Sequence, residues 1–221
     1  MGRTVSHLSI SLDGFVAGLD QGPEHPYGVG GRQLHEWARH ADEPGFEPDR
    51  RLWDELLRPM GAYVMGRNMF GPIRGEWTGD WRGWWGEEPP YHAPVFVLTH
   101  HPREPIEMAG GTIFNFVTEG FEGALEQARD AAGDADIRIA GGASTVRQAL
   151  RAGAIDELQL DIVPVLLTRG ERLLVDVGKL RCDPVEVVHS PRATHVRYRV
   201  TARTSDDPAC AASAPERVGE R

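Results

Sequence analysis

The sequence predicts an α/β fold in which a mainly parallel sheet is covered by helices on both faces and ends in an antiparallel edge. Short segments rich in β-branched residues alternate with helix-length segments along most of the 221-residue chain. This alternation is typical of parallel sheets built from strand–helix–strand units. The last two alternating segments, VEVVHS (185–190) and THVRYRV (194–200), have no helix between them. They predict the antiparallel pair at the C-terminal edge.

The N-terminal part is predicted to form a strand, a long loop and two helices. TVSHLSISL (4–12) alternates as a strand does, and glycines punctuate the loop from residue 13 to about 31. RQLHEWARH starts a short helix. A longer helix is predicted at DRRLWDELLR, with Asp49 as its N-cap and three leucines on one face, and Pro59 follows it.

The middle of the chain contributes three strands, two helices and a tryptophan-rich loop. AYVM and PVFVL are predicted strands, as is TIFNFV, and GRNMF is predicted to turn into a short helix. Residues 75–90 hold four of the six tryptophans among glycines and prolines, which predicts a loop. EGALEQARDAAG reads as a helix that ends at Gly133.

A strand, a glycine turn and a helix are predicted at IRIA and the following IAGGASTVRQAL (139–150). Thr145 and Gln148 have the spacing of a capping box, and Gly153 stands where a C-cap belongs. A glycine pair before a helix start suits an anion, because free N–H groups there carry partial positive charge. A tight turn that binds nothing fits the same residues. DELQLDIVPVLL then predicts a central strand with Pro164 at a bulge or an edge.

Composition narrows the classes of function. The 24 Lys and Arg residues against 33 Asp and Glu give a net charge of −9, which argues against a nucleic-acid or anionic-membrane surface. No apolar run is long enough for a membrane span or a signal peptide, so we expect a cytoplasmic protein. Cys182 and Cys210 are expected to be free thiols. His35 and His40 are five residues apart, one more than in a zinc-protease helix, so no metal site is predicted.

Four stretches, taken together and in order, resemble a known family. They are SLDGFVAG (11–18), VMGRNMF (64–70), FVLTHHP (96–102) and IAGGASTVRQAL. Their order and spacing resemble the dihydrofolate reductase-like superfamily, and its nearest branch is the C-terminal reductase domain of the bifunctional riboflavin-biosynthesis enzyme. AIDELQLDIVPVLLTRGERLL (154–174) is similar to the same branch. The resemblance implies one three-layer α/β/α reductase domain over residues 1–201, and the polar residues 202–221 are expected to be a disordered tail.

The resemblance also implies NADPH as the cofactor and suggests where it binds. Backbone groups of Ser9 and Val16 would lie near the nicotinamide amide, and Thr99 and His100 near the adenosine ribose and its 2′-phosphate. The other implied contacts lie at two strand-to-helix turns and are Gly66, Arg67, Asn68 and Met69 for phosphate, and Gly141, Gly142, Ala143, Ser144 and Thr145 for the pyrophosphate. Independently, two such turns would expose N–H groups at the carboxyl edge of the sheet, where α/β proteins bind ligands.

The proton donor is the point at which the sequence departs from the folate-reducing members. Their single acid follows the mobile loop, and here that region is lengthened, so no acid aligns cleanly. Glu36 is the nearest candidate, and Asp13 is the second, although an Asx turn explains Asp13 equally well. His35, Trp37 and Trp85 are candidates for the substrate pocket. On one helix His35 and Trp37 would point in different directions.

The prediction is therefore an NADPH-dependent reductase that transfers hydride to a flat heterocycle resembling a pterin, a flavin or a pyrimidine. One alternative is the riboflavin-pathway reduction of 5-amino-6-(5-phosphoribosylamino)uracil, which would require a second phosphate site. Another is a non-catalytic nucleotide-binding or dimerisation module. The expected partner is a small-molecule substrate, and a homodimer is compatible with the tryptophan-rich segment packing at an interface.

Overall fold

The computed structural model describes residues 2–202. Its strands are β1 (Thr4–Ser11), β2 (Phe15–Ala17), β3 (Ala62–Gly66), β4 (Pro94–Leu98), β5 (Ile106–Glu107), β6 (Ile113–Val117), β7 (Ile137–Gly141), β8 (Glu157–Val163), β9 (Glu171–Arg172), β10 (Leu180–His189) and β11 (Thr194–Ala202). Its helices are α1 (Glu36–Arg39), α2 (Glu47–Leu56), α3 (Arg67–Phe70), α4 (Gly120–Ala132) and α5 (Ala143–Arg151), with 3-10 turns at Gly31–His35 and Ala109–Gly111. No helix in this range is long and apolar enough to cross a bilayer.

Nine strands form the central sheet in the order β10-β11-β8-β1-β7-β3-β4-β6-β5. The six inner strands from β8 to β6 run parallel, whereas β10 and β11 are antiparallel at one edge and β5 is antiparallel at the other. The predicted α/β class and the antiparallel C-terminal edge are thereby confirmed. β2 and β9 pair separately and link the loop after β1 to the segment after β8.

The two faces of the sheet are covered by different elements. Alternate β3 side chains, Ala62 and Val64, pack with α4 and α5 in the largest apolar cluster. The residues between them, Tyr63 and Met65, point to the other face and pack with the tryptophan-rich loop. Farther along that second face, α1, α2 and the 3-10 turn before α1 contribute Leu34, Trp37 and Leu52 to a third apolar cluster. Val163 of β8 and Ala193, just before β11, complete this cluster. Period-two alternation in the strands thus separates two layers.

Two helix starts differ from those predicted. α5 begins at Ala143, and its N-cap is Gly142, which has no side chain to form a capping hydrogen bond. Thr145 lies inside the helix, so the predicted capping box that starts at Thr145 is wrong. Asp49 is not an N-cap either: it lies inside the first turn of α2 and is fully buried. The predicted glycines after α4 and α5 are confirmed, because Gly133 and Gly153 both have positive φ.

Pro164 directly follows the last residue of β8, so it ends a central strand without interrupting the hydrogen-bond ladder. β11 extends to Ala202. The predicted tail beyond it, with Cys210, lies outside the described residues. Cys182 is a free, exposed thiol.

Candidate functional site

A cavity of about 860 Å³ opens at the carboxyl edge of the sheet, where β1, β3, β4 and β7 end. It continues over the face covered by α1, α2 and the tryptophan-rich loop. Among its lining residues are Gly66, Thr99 and Gly141, at or next to the ends of three parallel strands, and Ala143 at the start of α5. This is the edge at which open α/β sheets bind ligands. All thirteen residues predicted to contact NADPH line this one cavity.

Glycines keep the two strand-to-helix turns open. A Cβ on Gly66 would approach the hydroxyl oxygen of Thr145 to 2.6 Å, so β3 and α5 meet too closely there for a side chain. Gly141 has a φ of +135°, which side chains rarely adopt. A Cβ on Gly142 would meet nothing within 4 Å. Backbone at the start of α5 is therefore exposed in the cavity, where helix N–H groups attract an anion.

A second feature is a pair of arginines packed on one tryptophan at the margin of the cavity, where Arg67 is the member that lines it. The guanidinium carbon of Arg67 lies 3.7 Å from the ring centroid of Trp77, and that of Arg103 lies 4.9 Å from it. Arg67 also donates a hydrogen bond to the hydroxyl of Thr99 over 3.3 Å. Trp77 is held in turn by its indole N–H, which donates to the carbonyl of His101 over 2.8 Å.

Both arginines have donors without partners. Nε and Nη2 of Arg67 and Nη1 of Arg103 are buried and make no hydrogen bond to the described residues. Burial and the nearby charge of Arg74 lower the pKa of Arg67, and burial and Arg82 lower that of Arg103. Unpaired buried donors are costly, and a bound anion would satisfy them. These residues fit the phosphate groups of a dinucleotide.

The other end of the cavity is aromatic. The rings of His35 and Tyr27 are in tilted contact, with centroids 4.2 Å apart and an interplanar angle of 36°, and the indole N–H of Trp37 donates to the hydroxyl of Ser9 over 2.9 Å. His35 and Trp37 both line the cavity, so the expectation that they would point apart is wrong. The reason is local: His35 ends a 3-10 turn and Trp37 lies in the α-helix after it, so they do not share one helical rotation.

The tryptophans of the long loop divide between two roles. Trp77 and Trp81 pack against Phe70 and its neighbours, and the indole of Trp81 donates to the Phe70 carbonyl over 3.0 Å. Trp84 and Trp85 line the cavity instead, and Trp85 is 53% exposed. The loop therefore forms part of the core and one wall of the cavity.

Neither carboxylate predicted as a proton donor lines the cavity. Glu36 forms ion pairs on the outside of α1, 3.4 Å from His40 and 4.0 Å from Arg32. Asp13 accepts hydrogen bonds from the Ser11 hydroxyl and from backbone N–H groups of residues 167 and 168, and these contacts lower its pKa. Asp13 thus joins the loop after β1 to the segment after β8.

The carboxylate inside the cavity is Asp161 of β8, which the sequence did not suggest. His7 of β1 contacts it through Nε2 at 2.8 Å, and His195 of β11 contacts it through Nδ1 at 2.7 Å. Behind them, Nε2 of His195 lies 3.3 Å from Asp49. Burial opposes ionisation of Asp161, but the two histidines outweigh it and lower its pKa to about 2. The alternation of side chains along β1 places His7 on the same face as Ser9. The residue that His7 contacts, Asp161, is 154 positions away in the chain.

Comparison with known proteins agrees with this geometry. A family model described as the RibD C-terminal domain matches residues 4–196. No relative is found by sequence among curated proteins. A candidate riboflavin biosynthesis protein from Shewanella sp. PV-4 is similar in structure, with 20% identity, a TM-score of 0.60, and coverage of 90% of this chain and 99% of that one.

Two further solved structures share the fold. Dihydrofolate reductase from Enterococcus faecalis, complexed with NADP(H), has 15% identity and a TM-score of 0.52, over 91% of this chain and 98% of that one. A Thermotoga maritima deaminase and 5-amino-6-(5-phosphoribosylamino)uracil reductase has 14% identity and a TM-score of 0.55, over 90% of this chain and 56% of that longer one. The chain belongs to the family of the RibD C-terminal domain, a family of NADPH-dependent reductases with the dihydrofolate reductase-like fold.

Proposed function

We propose that this protein is an NADPH-dependent reductase that transfers hydride to a flat heterocyclic small molecule of the pterin, flavin or pyrimidine type. The observation that carries the proposal is the unpaired guanidinium N–H groups of Arg67 and Arg103 on Trp77. Arg67 lines the cavity that also holds the open glycine turn before α5, and Arg103 packs beside it on the same indole ring. Together these features fit a 2′-phosphate and a diphosphate of the same dinucleotide.

The aromatic end of the cavity supports a flat acceptor. Trp37 is fixed by its hydrogen bond to Ser9. The rings of His35 and Tyr27, which contact each other, line the same cavity. Planar aromatic surfaces favour planar ligands through stacking and exclude water from them. When bound, NADPH supplies the hydride, and this chain's residues position the two reactants and shield them from solvent.

A phosphorylated ribosylaminopyrimidine is the second candidate acceptor. Arg138 of β7 lines the cavity away from the two cofactor turns, is buried, and leaves Nε without a partner. Its other guanidinium nitrogens donate to the carbonyls of Glu55 and Leu56 at the end of α2. Nε of Arg138 is thus a donor available to a phosphate on the acceptor.

The test combines binding and turnover. NADPH should quench tryptophan fluorescence, because Trp77 lies beneath the guanidinium groups that we assign to the cofactor. Absorbance at the NADPH band is then followed with 7,8-dihydrofolate, 7,8-dihydrobiopterin, riboflavin and 5-amino-6-(5-phosphoribosylamino)uracil. Absence of NADPH binding by folded protein would refute the proposal. Binding without turnover of any acceptor would favour a non-catalytic nucleotide-binding module.

A further inference from the structure

The buried histidines and carboxylates beneath the cavity form one continuous chain of contacts. It runs from His7 through Asp161 and His195 to Asp49, with contacts of 2.8, 2.7 and 3.3 Å. The hydroxyl of Ser190 donates to Asp49 at its far end over 2.9 Å. All four titratable side chains are at most 7% exposed. Such a chain lies in a low-dielectric region where uncompensated charge is costly.

Charge balance determines where protons reside in this chain. Two carboxylates contribute two negative charges when ionised, and two histidines balance them only if both are protonated. Asp161 is ionised, because its contacts with the histidines hold its pKa at about 2. It accepts a hydrogen bond at each oxygen, from His7 at one and from His195 at the other. Protonated histidines therefore leave the buried group electrically neutral.

His7 is the member of the chain that reaches the cavity. Its side chain lines the cavity, as does that of Asp161, whereas His195 and Asp49 lie behind them. Nδ1 of His7 makes no hydrogen bond within residues 2–202. It is also not one of the buried side-chain atoms that lack a hydrogen-bond partner. Nδ1 of His7 is therefore accessible, and His7 lines both the main cavity and a smaller one beside it. Ser9, predicted to lie near the nicotinamide, is two residues along the same face of β1.

Four other titratable groups that line the cavity are poorly suited to donate a proton. Asp161 is already ionised, and burial lowers the pKa of His35 to about 4, so its ring is neutral at physiological pH. Burial raises the pKa of Tyr91 to about 12, which makes it a weak acid. Glu171 is the remaining lining carboxylate in the described chain, and it is exposed on β9.

We propose that His7 is the proton donor of the reduction and that its contact with Asp161 holds the ring in place. This assignment rests on the proposed function. As hydride adds to an unsaturated carbon of the acceptor, the electron pair of its double bond moves to the adjacent nitrogen or oxygen. That atom takes the proton from Nδ1 of His7, which becomes neutral, and solvent entering the cavity restores the proton afterwards. Asp161 is a positioning residue that keeps its negative charge throughout.

Several charged groups face His7 from the elements packed around it. They are Asp161 on β8, His195 and Arg197 on β11, Arg138 on β7, Asp49 and Glu55 on α2, and His35 at the end of the 3-10 turn. Arg197 forms an ion pair with Glu55 at 2.5 Å. Among them, Asp161 makes the direct hydrogen-bond contact with His7.

The test compares His7→Gln with wild type in single turnovers of NADPH-loaded enzyme and the acceptor that wild type reduces best. Glutamine retains a hydrogen bond to Asp161 but cannot carry the proton. We expect hydride transfer to slow by about 100-fold or more, as for loss of a general acid, with NADPH affinity within twofold. The wild-type rate should fall at alkaline pH, and this decrease should be absent in His7→Gln.

The matched control is His189→Gln, which replaces an exposed histidine on β10. It should behave as wild type.

A second measurement needs no acceptor. Labelled-histidine NMR of wild type, with His7→Gln used to assign the signal, should show the His7 ring protonated on both nitrogens at pH 7. A neutral His7 at pH 6, or a His7→Gln enzyme within threefold of wild type, would overturn the assignment while the proposed function stands. Wild type that binds NADPH but reduces no acceptor would instead overturn the proposed function, and the assignment with it.

Discussion

Gly141 and Gly142 are neighbours that need to be glycine for different reasons. Gly141 has a φ of +135°, and a Cβ there would lie 3.1 Å from the sulfur of Met69. Gly142 has a φ of −70° and a ψ of −166°, which any residue can adopt, and a side chain there would point into open space. The first glycine serves the backbone, and the second leaves room for a ligand.

Substitution of the two glycines should therefore separate stability from binding. We expect Gly142→Val to weaken NADPH binding at least tenfold, about 1.4 kcal/mol, because the isopropyl group would occupy the space of the diphosphate. The free energy of unfolding should change by about 1 kcal/mol or less. Gly141→Ala should instead cost about 1–3 kcal/mol of stability. Cofactor titrations and urea unfolding of both variants provide the comparison. Wild-type affinity in Gly142→Val would mean that the turn binds no diphosphate.

His35 should make the protein sensitive to acid. Burial lowers its pKa from 6.5 to about 4 in the folded state, opposed in part by Asp161. Below pH 6.5 the unfolded chain binds a proton that the folded protein does not, so stability is lost as pH falls from 6.5 towards 4. One pKa unit corresponds to about 1.4 kcal/mol, so the loss at pH 5 is up to about 2 kcal/mol. Partial exposure of the ring to the cavity reduces it.

The measurement is urea unfolding between pH 7 and pH 5 for wild type and His35→Gln. The variant cannot bind the proton, and it should lose less stability than wild type over this interval. Parallel losses in the two proteins would show that His35 is solvated and that other groups cause the acid sensitivity.

The loop that follows β1 is fixed by an element far along the chain. Asp13 accepts hydrogen bonds from the amides of Leu167 and Thr168 over 3.1 and 2.7 Å, and β2 pairs with β9 beside it. Val16 of this loop lines the cavity. The segment after β8 therefore supports one wall of the cavity.

We expect Asp13→Ala to loosen this connection without unfolding the sheet. Amide hydrogen exchange of Leu167 and Thr168 should become faster, because both amides lose their acceptor, while exchange in β8 stays slow. Mass-spectrometric or NMR exchange measurements can test this. Asp54→Ala, which removes an exposed ion pair with Arg50 on α2, is a suitable control. Unchanged exchange at residues 167 and 168 would exclude the role of Asp13 as a tether.

Most elements could be predicted because hydrophobic periodicity and glycine positions are local signals. The start of α5 and the role of Asp49 could not. Asp49 has the sequence position of a cap, but burial against His195 and Ser190 fixes its role. The common location of the thirteen candidate cofactor residues in one cavity was predictable, since most of them lie at or beside the carboxyl ends of strands. The contact of His7 with Asp161 was not, because it depends on which strands are neighbours.

The molecule as a whole is acidic, and its candidate cofactor site is a local exception. The chain carries a net charge of −9, yet Arg67 and Arg103 lie together on Trp77 with unpaired donors. An anionic dinucleotide is repelled by the overall charge and attracted by this pair, and salt screens both effects. We expect discrimination between NADPH and NADH to depend on the local pair, because the two cofactors differ only at the 2′-phosphate.

Thermal stability of the whole protein should report this discrimination. A ligand at 100 times its dissociation constant stabilises the folded state by about 2.7 kcal/mol, and a domain of this size gains about 2–4 °C per kcal/mol. We therefore expect NADPH at that concentration to raise Tm by about 5–11 °C. One charge-assisted contact to the 2′-phosphate, worth about 1.5–3 kcal/mol, implies a preference over NADH of roughly ten- to 150-fold, and a second contact would increase it. NADH at the same concentration should give a small shift.

Two comparisons isolate the phosphate from the rest of the cofactor. 2′,5′-ADP should raise Tm and 5′-AMP should not, since only the former carries the 2′-phosphate. Arg103→Gln should reduce the difference between NADPH and NADH while retaining the Tm of the free protein, because Arg103 packs on Trp77 and leaves one donor unpaired. Equal shifts with NADH and NADPH would show that the two arginines do not bind a 2′-phosphate, even if the glycine turn binds the diphosphate.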